Sequence, residues 1–255
     1  MILRFTKFIR QLALTFYGVY VWIVFTTLAI PVFIILILTP ARLGRRIVAR
    51  WSAKLLFLLI GTPIHLKGAQ LLPTSTSIIV ANHASYLDGI ILTATLPPNF
   101  TFLIKQEMAV FPFVGLLLKR IGSEFVDRKK NLQRSNVARR LFKAAEQGNS
   151  LAFFPEGTFT CQPGLRPFHM GAFKAACRSK LPIVPIVISG SRDKLPADSW
   201  LCKPGTISVQ ICHPIDSRLH NSAQELLQQT RIAMLSWLNE SDLGTNNRKR
   251  ISNKP

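Results

Sequence analysis

From Gln11 to Pro40 the chain runs thirty residues without an Asp, Glu, Lys or Arg. A helix of about 20 apolar residues spans the hydrocarbon core of a bilayer, so this stretch is long enough to enter lipid, with excess. It is too long for the apolar core of a cleaved leader, and no small-residue cleavage site follows it. Pro31 removes one helical hydrogen bond and is expected to break or kink the run near its final third. Arg4, Lys7 and Arg10 precede the run; Arg42, Arg45, Arg46 and Arg50 follow it. Basic flanks favour the cytosolic side of a membrane, and one straight span cannot place both there. A kinked hairpin or a helix pair lying in one leaflet satisfies both flanks; a single span satisfies one.

The next segment repeats a period. Arg42, Arg46, Arg50 and Lys54 recur at every fourth residue, and Leu43, Ile47, Trp51, Leu55 and Leu59 form the adjacent row. On a helix this is a cationic ridge beside an apolar one, the pattern of a helix resting on anionic lipid. The same pattern also suits a helix docked on a domain with its charges in water. The formal charge of +20, from 32 basic against 12 acidic residues, calls for an anionic partner or surface. A hydrophobic fraction of 48% directs that charge toward an anionic bilayer rather than nucleic acid, and no nucleic-acid partner is expected. Cys161, Cys177, Cys202 and Cys212 show neither a CxxC pair nor His–Cys ligand spacing, so they read as reduced thiols and no metal site is expected.

Three parts follow: residues 1–60, a hydrophobic anchor with a basic amphipathic helix; residues 61–243, a globular domain; and residues 244–255, a basic solvated tail. Within the domain, strands are expected at Pro63–Leu66, Ser77–Ala81, Thr101–Ile104, Ser123–Val126, Leu151–Phe154, Ile183–Ile188 and Thr206–Ile211. Helices are expected at Leu87–Leu96, Phe111–Arg120, Leu132–Gln147, Gly171–Arg178 and Ala223–Leu238. Such alternation implies an α/β layered domain. Its central sheet is mostly parallel or mixed and is flanked by helices, with the N-terminal membrane-associated helical segment preceding it.

Reactive groups cluster where strands end. Asn82-His83-Ala84-Ser85-Tyr86-Leu87-Asp88 follows the apolar Ser77–Ala81 run and sets an imidazole five residues before a carboxylate. A histidine held by a carboxylate can take a proton from a hydroxyl near neutral pH. Ideal helical rotation would not bring the two together, so His83 must lie outside the helix and bend back toward Asp88. Phe154-Pro155-Glu156-Gly157-Thr158 follows another strand, and its Pro and Gly set a tight turn that presents Glu156 at the strand end. By itself such a turn is common and structural. Arg128 ends a third strand and offers a planar donor set for phosphate, although Lys129 and Lys130 beside it also fit a solvated basic loop. Leu181-Pro182-Ile183-Val184-Pro185-Ile186 reads as a wall.

Taken in order, NHxxxxD, G-x-x-F-x-x-R, FPEGT and the Pro-Ile-Val-Pro strand resemble the glycerolipid acyltransferases, and more narrowly the bacterial 1-acyl-sn-glycerol-3-phosphate acyltransferases. Lys105-Gln106-Glu107 with Pro112 and Gly115 is similar to the family's segment between its first two motifs. The resemblance covers Ile64 to Ile215. It implies that 61–243 is an acyltransferase domain, with His83 as general base and Asp88 orienting it. Asn82, Lys105, Arg128, Glu156, Gly157 and Thr158 would bind substrate, Arg128 near its phosphate. It also implies no cofactor beyond the acyl donor, a thioester of CoA or acyl carrier protein. A lysophospholipid would be the acceptor, 1-acyl-sn-glycerol-3-phosphate giving phosphatidic acid, and the place of action the bacterial inner membrane, with the domain facing the cytosol. A non-catalytic lipid-binding protein of the same fold would have no need of the His83–Asp88 pair. One departure bears on the acceptor. Where the family reads FPEGTRS, this chain has Phe159-Thr160 after Thr158, so the expected arginine is a phenylalanine. Lys105, Arg166 or Lys174 could replace it, and another lysolipid, such as a lyso amino-acid lipid, stays open.

Overall fold

The computed structural model of the protein describes residues 2–126 and 149–244. Two helices lead: α1 (Ile2–Leu38) and α2 (Arg42–Leu59). Seven strands follow: β1 (Ile64–Lys67), β2 (Ile78–Ala81), β3 (Phe100–Lys105), β4 (Glu124–Val126), β5 (Ser150–Phe153), β6 (Ile183–Ser189) and β7 (Ile207–Ile211). Between and after them run α3 (Asp88–Thr95), α4 (Pro112–Arg120), α5 (Gly171–Ser179), the short α6 (Ser191–Lys194) and α7 (Ala223–Leu235). Each expected strand forms, shifted by a residue or two at its ends. The expected helix Leu132–Gln147 lies outside the described residues, and α6 was not foreseen.

The sheet order is β1-β7-β6-β2-β5-β3-β4. β6, β2, β5, β3 and β4 run parallel, while β7 pairs antiparallel with β6 and parallel with β1. β2 lies at the centre, and all four of its residues, Ile78 to Ala81, are buried. An unbroken apolar run suits a strand covered on both faces. Alternate side chains then supply two cores. Ile79 and Ala81 pack with Leu56 and Phe57 of α2, Ile91 and Leu92 of α3, and Val21 of α1. Ile78 and Val80 pack with Phe173 of α5 and with Leu226 and Met234 of α7.

The leading helices bear on two expectations. Pro31 lies inside α1 without ending it, so the apolar run is one helix, and the hairpin forms only after it, between α1 and α2. Of the basic row of α2, Arg46 is 8% exposed and turned into the domain, while Arg42 and Lys54 are exposed. The Nε of Arg46 donates to Ile121 O at 2.9 Å and its other nitrogens to Asn149 Oδ1 at 2.9 Å and Thr101 Oγ1 at 2.6 Å. Burial and the nearby charge of Arg42 bring its pKa down to about 10, so it stays charged at neutral pH. The apolar row faces outward, as a helix resting on lipid requires: Leu43, Ile47, Trp51, Leu55 and Leu59 are all exposed.

Candidate active site

β2 ends at Ala81, and the chain stays non-helical until α3 begins at Asp88. The carboxylate of Asp88 shapes this loop. Its Oδ2 accepts the backbone N–H of Ala84 at 2.6 Å and of Ser85 at 2.8 Å, and lies 2.9 Å from Nδ1 of His83. His83 therefore bends back as the spacing required. The Asp88 side chain is wholly buried at the positive end of α3, which favours its charge. With Nδ1–H donating to Asp88, as the hydrogen-bond pattern assigns it, Nε2 keeps its lone pair. The imidazole is 19% exposed. Ser85 Oγ donates to Leu195 O at 2.8 Å and fixes the far side of the loop.

The second turn is fastened to the first. Gly157 takes φ +75°, which a side chain would strain, and its N–H closes the turn on Phe154 O at 3.1 Å. Glu156 Oε1 accepts the backbone N–H of His83 at 2.7 Å, and Oε2 accepts that of Arg166 at 2.8 Å. Burial raises its pKa to about 7 against the pull of those two amides and the charges of Arg192 and Arg231.

Two residues expected to touch substrate are buried, with their polar atoms bonded to backbone. Glu156 is 5% exposed, and each of its oxygens faces a backbone amide. Asn82 is 3% exposed; its Nδ2 donates to Ile188 O at 2.9 Å and its Oδ1 accepts from Ile188 N at 2.7 Å, so it clamps the end of β2 to β6. Gly157 is buried in its turn, and Thr158 is exposed beside it. Lys105 ends β3, at the same C-terminal edge of the parallel strands as His83 and Glu156. Arg128 lies outside the described residues.

Position 159 has a new neighbour set. Phe154 stacks on His83 with ring centroids 4.4 Å apart, and Phe159 meets the same imidazole edge-on at 4.5 Å. Phe159 also touches Tyr86 at 4.7 Å, and Tyr86 stacks with Trp200 at 5.9 Å. Trp22 of α1 donates Nε1–H to Trp200 O at 2.7 Å. An aromatic path thus joins the imidazole to the apolar N-terminal helix. Trp200 and Trp22 carried no local sequence signal, because the chain brings them there from distant segments. Arg166 reaches Thr160 Oγ1 at 3.5 Å, and its Nε is buried without a partner. Lys174 is exposed on α5. Cys212 is a packing group whose thiol burial pushes up to about 11. Among the described residues no three His, Cys, Asp or Glu side chains gather as metal ligands do.

A histidine tied by one nitrogen to a buried carboxylate, with the other nitrogen unbonded, can act as a base toward a hydroxyl. A family model described as acyltransferase matches residues 63–189. A 1-acyl-sn-glycerol-3-phosphate acyltransferase of Haemophilus influenzae is 31% identical over 179 residues, 69% of this chain and 72% of the relative. A lyso-ornithine lipid O-acyltransferase of Pseudomonas aeruginosa is 30% identical over 212 residues, 77% of this chain and 79% of that one. The crystal structure of a 1-acyl-sn-glycerophosphate acyltransferase from Thermotoga maritima shares the fold, with a TM-score of 0.72 at 22% identity, covering 89% of this chain and 93% of its own.

Proposed function

Because the chain belongs to the acyltransferase family, in the group that includes the 1-acyl-sn-glycerol-3-phosphate acyltransferases, we propose that it is the enzyme that moves a fatty acyl group from a thioester to the free hydroxyl of a lysophospholipid. The observation that carries the mechanism is the 2.9 Å contact of His83 Nδ1 with the buried Asp88. His83 Nε2 takes the hydroxyl proton while the oxygen attacks the thioester carbonyl of acyl-CoA or acyl carrier protein. Asp88 stabilises the imidazolium that results. The tetrahedral intermediate then collapses, the C–S bond breaks, and the imidazolium returns its proton to the departing thiolate. The amides of His83, Ala84 and Ser85 are already taken by Glu156 and Asp88, so they are not the donors that stabilise the oxyanion. His83→Ala should lower acyl transfer by at least about a thousandfold while the far-UV spectrum and vesicle binding persist. Retained activity in that variant sinks the mechanism.

For the acceptor, 1-acyl-sn-glycerol-3-phosphate is the first reading, and Phe159 favours a second. An aromatic ring on His83 in place of a guanidinium removes one phosphate contact, a loss of about 1.5–3 kcal/mol unless it is replaced. A lysolipid without a phosphate monoester, such as a lyso amino-acid lipid, loses nothing there. Phe159→Arg should then raise kcat/KM for the phosphate acceptor relative to a lyso-ornithine lipid by roughly tenfold or more. An unchanged ratio removes position 159 from acceptor choice.

The anchor reads as lying along one leaflet. Contacts of α1 with the domain begin at Tyr17, whose hydroxyl donates to Ile60 O at 2.8 Å, and continue to the buried Leu36. The portion before Tyr17 is about 15 residues, or roughly 22 Å of helix, short of the roughly 30 Å hydrocarbon core. Both basic flanks would then stay on one side, the cytosolic face of a bacterial inner membrane.

A further inference from the structure

Met108 to Leu118 carries no charged residue, yet Val110, Phe111, Phe113, Val114 and Leu116 all face solvent, Val110 with 80% and Phe113 with 72% of its surface exposed. Apolar groups gathered this closely on a surface mark a partner or a membrane. The protrusion is built into the fold. β3 ends at Lys105, the chain turns through Gln106–Ala109, and Pro112 starts α4. A Cβ at Gly115 would meet Ala109 O at 2.4 Å, so a glycine is needed there for the turn to pack against α4. Val110 to Val114 form the corner between them and point away from the domain.

The corner leaves β3 at the C-terminal edge of the parallel strands, the edge that carries His83. It touches α1, where the rings of Phe113 and Phe33 meet edge-on at 5.8 Å. Trp22, eleven residues before Phe33, holds the exposed Trp200, which stacks on the exposed Tyr86. Eleven residues are about three turns of helix, or roughly 16 Å, so Trp22 and Phe33 lie on one face of α1. That face runs along the catalytic edge with an exposed aromatic group at each end. Ile23, Ile30 and Ile34 of α1 are exposed as well. The corner is thus continuous with a helix long and apolar enough to cross a membrane, and lipid that wets α1 reaches Phe113. Lys105 precedes the corner, Lys119 and Arg120 follow it, and the chain as a whole carries +20. Apolar and aromatic side chains between basic flanks suit an anionic bilayer, whereas a second copy of so basic a chain is repelled.

We propose that Val110 to Val114 enter the same leaflet as α1. They are a second membrane contact that, with Tyr86 and Trp200, sets the mouth of the His83 site on lipid. The proposal rests on α1 lying along one leaflet, which protease access to sealed vesicles tests separately. It is tested on the full chain in phosphatidylglycerol–phosphatidylcholine vesicles, with and without bromine on the acyl chains. The emission that Phe113→Trp adds should be quenched by the bromine. That added by Leu219→Trp should not, because Leu219 is 78% exposed in a turn held on α5, across the sheet from α1. Phe111→Ser combined with Phe113→Ser should cut acyl transfer to 1-oleoyl-glycerol-3-phosphate in vesicles by at least about tenfold, with transfer to dissolved 1-hexanoyl-glycerol-3-phosphate unchanged. Quenching decides the contact even where the chain takes another acceptor. Unquenched emission in the Phe113→Trp chain, as a second copy covering the corner would give, overturns the proposal. So does equal quenching in the Leu219→Trp chain, or an equal loss of transfer to both acceptors.

Discussion

Glu156 holds its proton to about pH 7 because burial penalises its charge more than two backbone amides and two arginines favour it. The sign of the consequence follows from linkage. An unfolded glutamate ionises near pH 4.5; the folded one does so near 7, so the folded state holds the extra proton between these values. The stability this confers is complete below pH 4.5 and is lost as pH rises to about 7, on the order of 3 kcal/mol. Glu156→Gln should abolish that slope, read as the difference in urea midpoint between pH 5 and pH 8. An unchanged slope assigns it to another group. The same carboxylate shows what a motif leaves open. FPEGT marked Glu156 as important, but nothing in the string told a substrate contact from a staple between two turns. Asn82 posed the same ambiguity, and Ile188, 106 residues away, resolved it.

At the scale of the element, α2 turns its apolar row outward and one member of its basic row, Arg46, inward. A four-residue period reports that two rows exist and not which row faces the domain. Arg46 turns inward because the start of the sheet offers it acceptors on Ile121, Asn149 and Thr101. Arg46→Met should leave those groups unpaired in the interior and lower stability by roughly 2–4 kcal/mol, measured as a fall in Tm of the detergent-solubilised chain. A variant within error of wild type would mean that the pocket rehydrates freely. Pro185 stands in a central strand, where proline is usually excluded. Ile183 N–H points to Ile215 O on the β7 side, and Pro185, two residues on, faces that side too. The β6–β7 ladder begins only at Ile186, so no ladder bond is lost. The strand was legible from its apolar run; the tolerance of its proline was not.

For the whole molecule, α1 is both a helix long and apolar enough to cross a membrane and part of the core. Its Tyr17 hydroxyl also accepts from Lys194 Nζ at 3.0 Å, the ammonium otherwise meeting Lys203 O at 2.9 Å. Residue 194 directly precedes Leu195, which holds Ser85 beside His83, so the apolar helix α1 and the loop that carries His83 share a support. With α1 along one leaflet, a tag ahead of residue 10 and an epitope on α7 should be reached by protease from the same side of sealed, oriented vesicles. Protection of only one of them means a span instead. The sequence alone determined the seven strands, the parallel α/β layering and the His83–Asp88 pair, since alternation, apolar runs and a five-residue spacing are local properties. Tertiary structure alone decided that Arg46 of α2 turns inward, that Asn82 and Glu156 fasten loops, and that Phe159 closes on His83 beside Tyr86 and Trp200. Each of these depends on partners many tens of residues away, and only the closed sheet brings them within bonding distance.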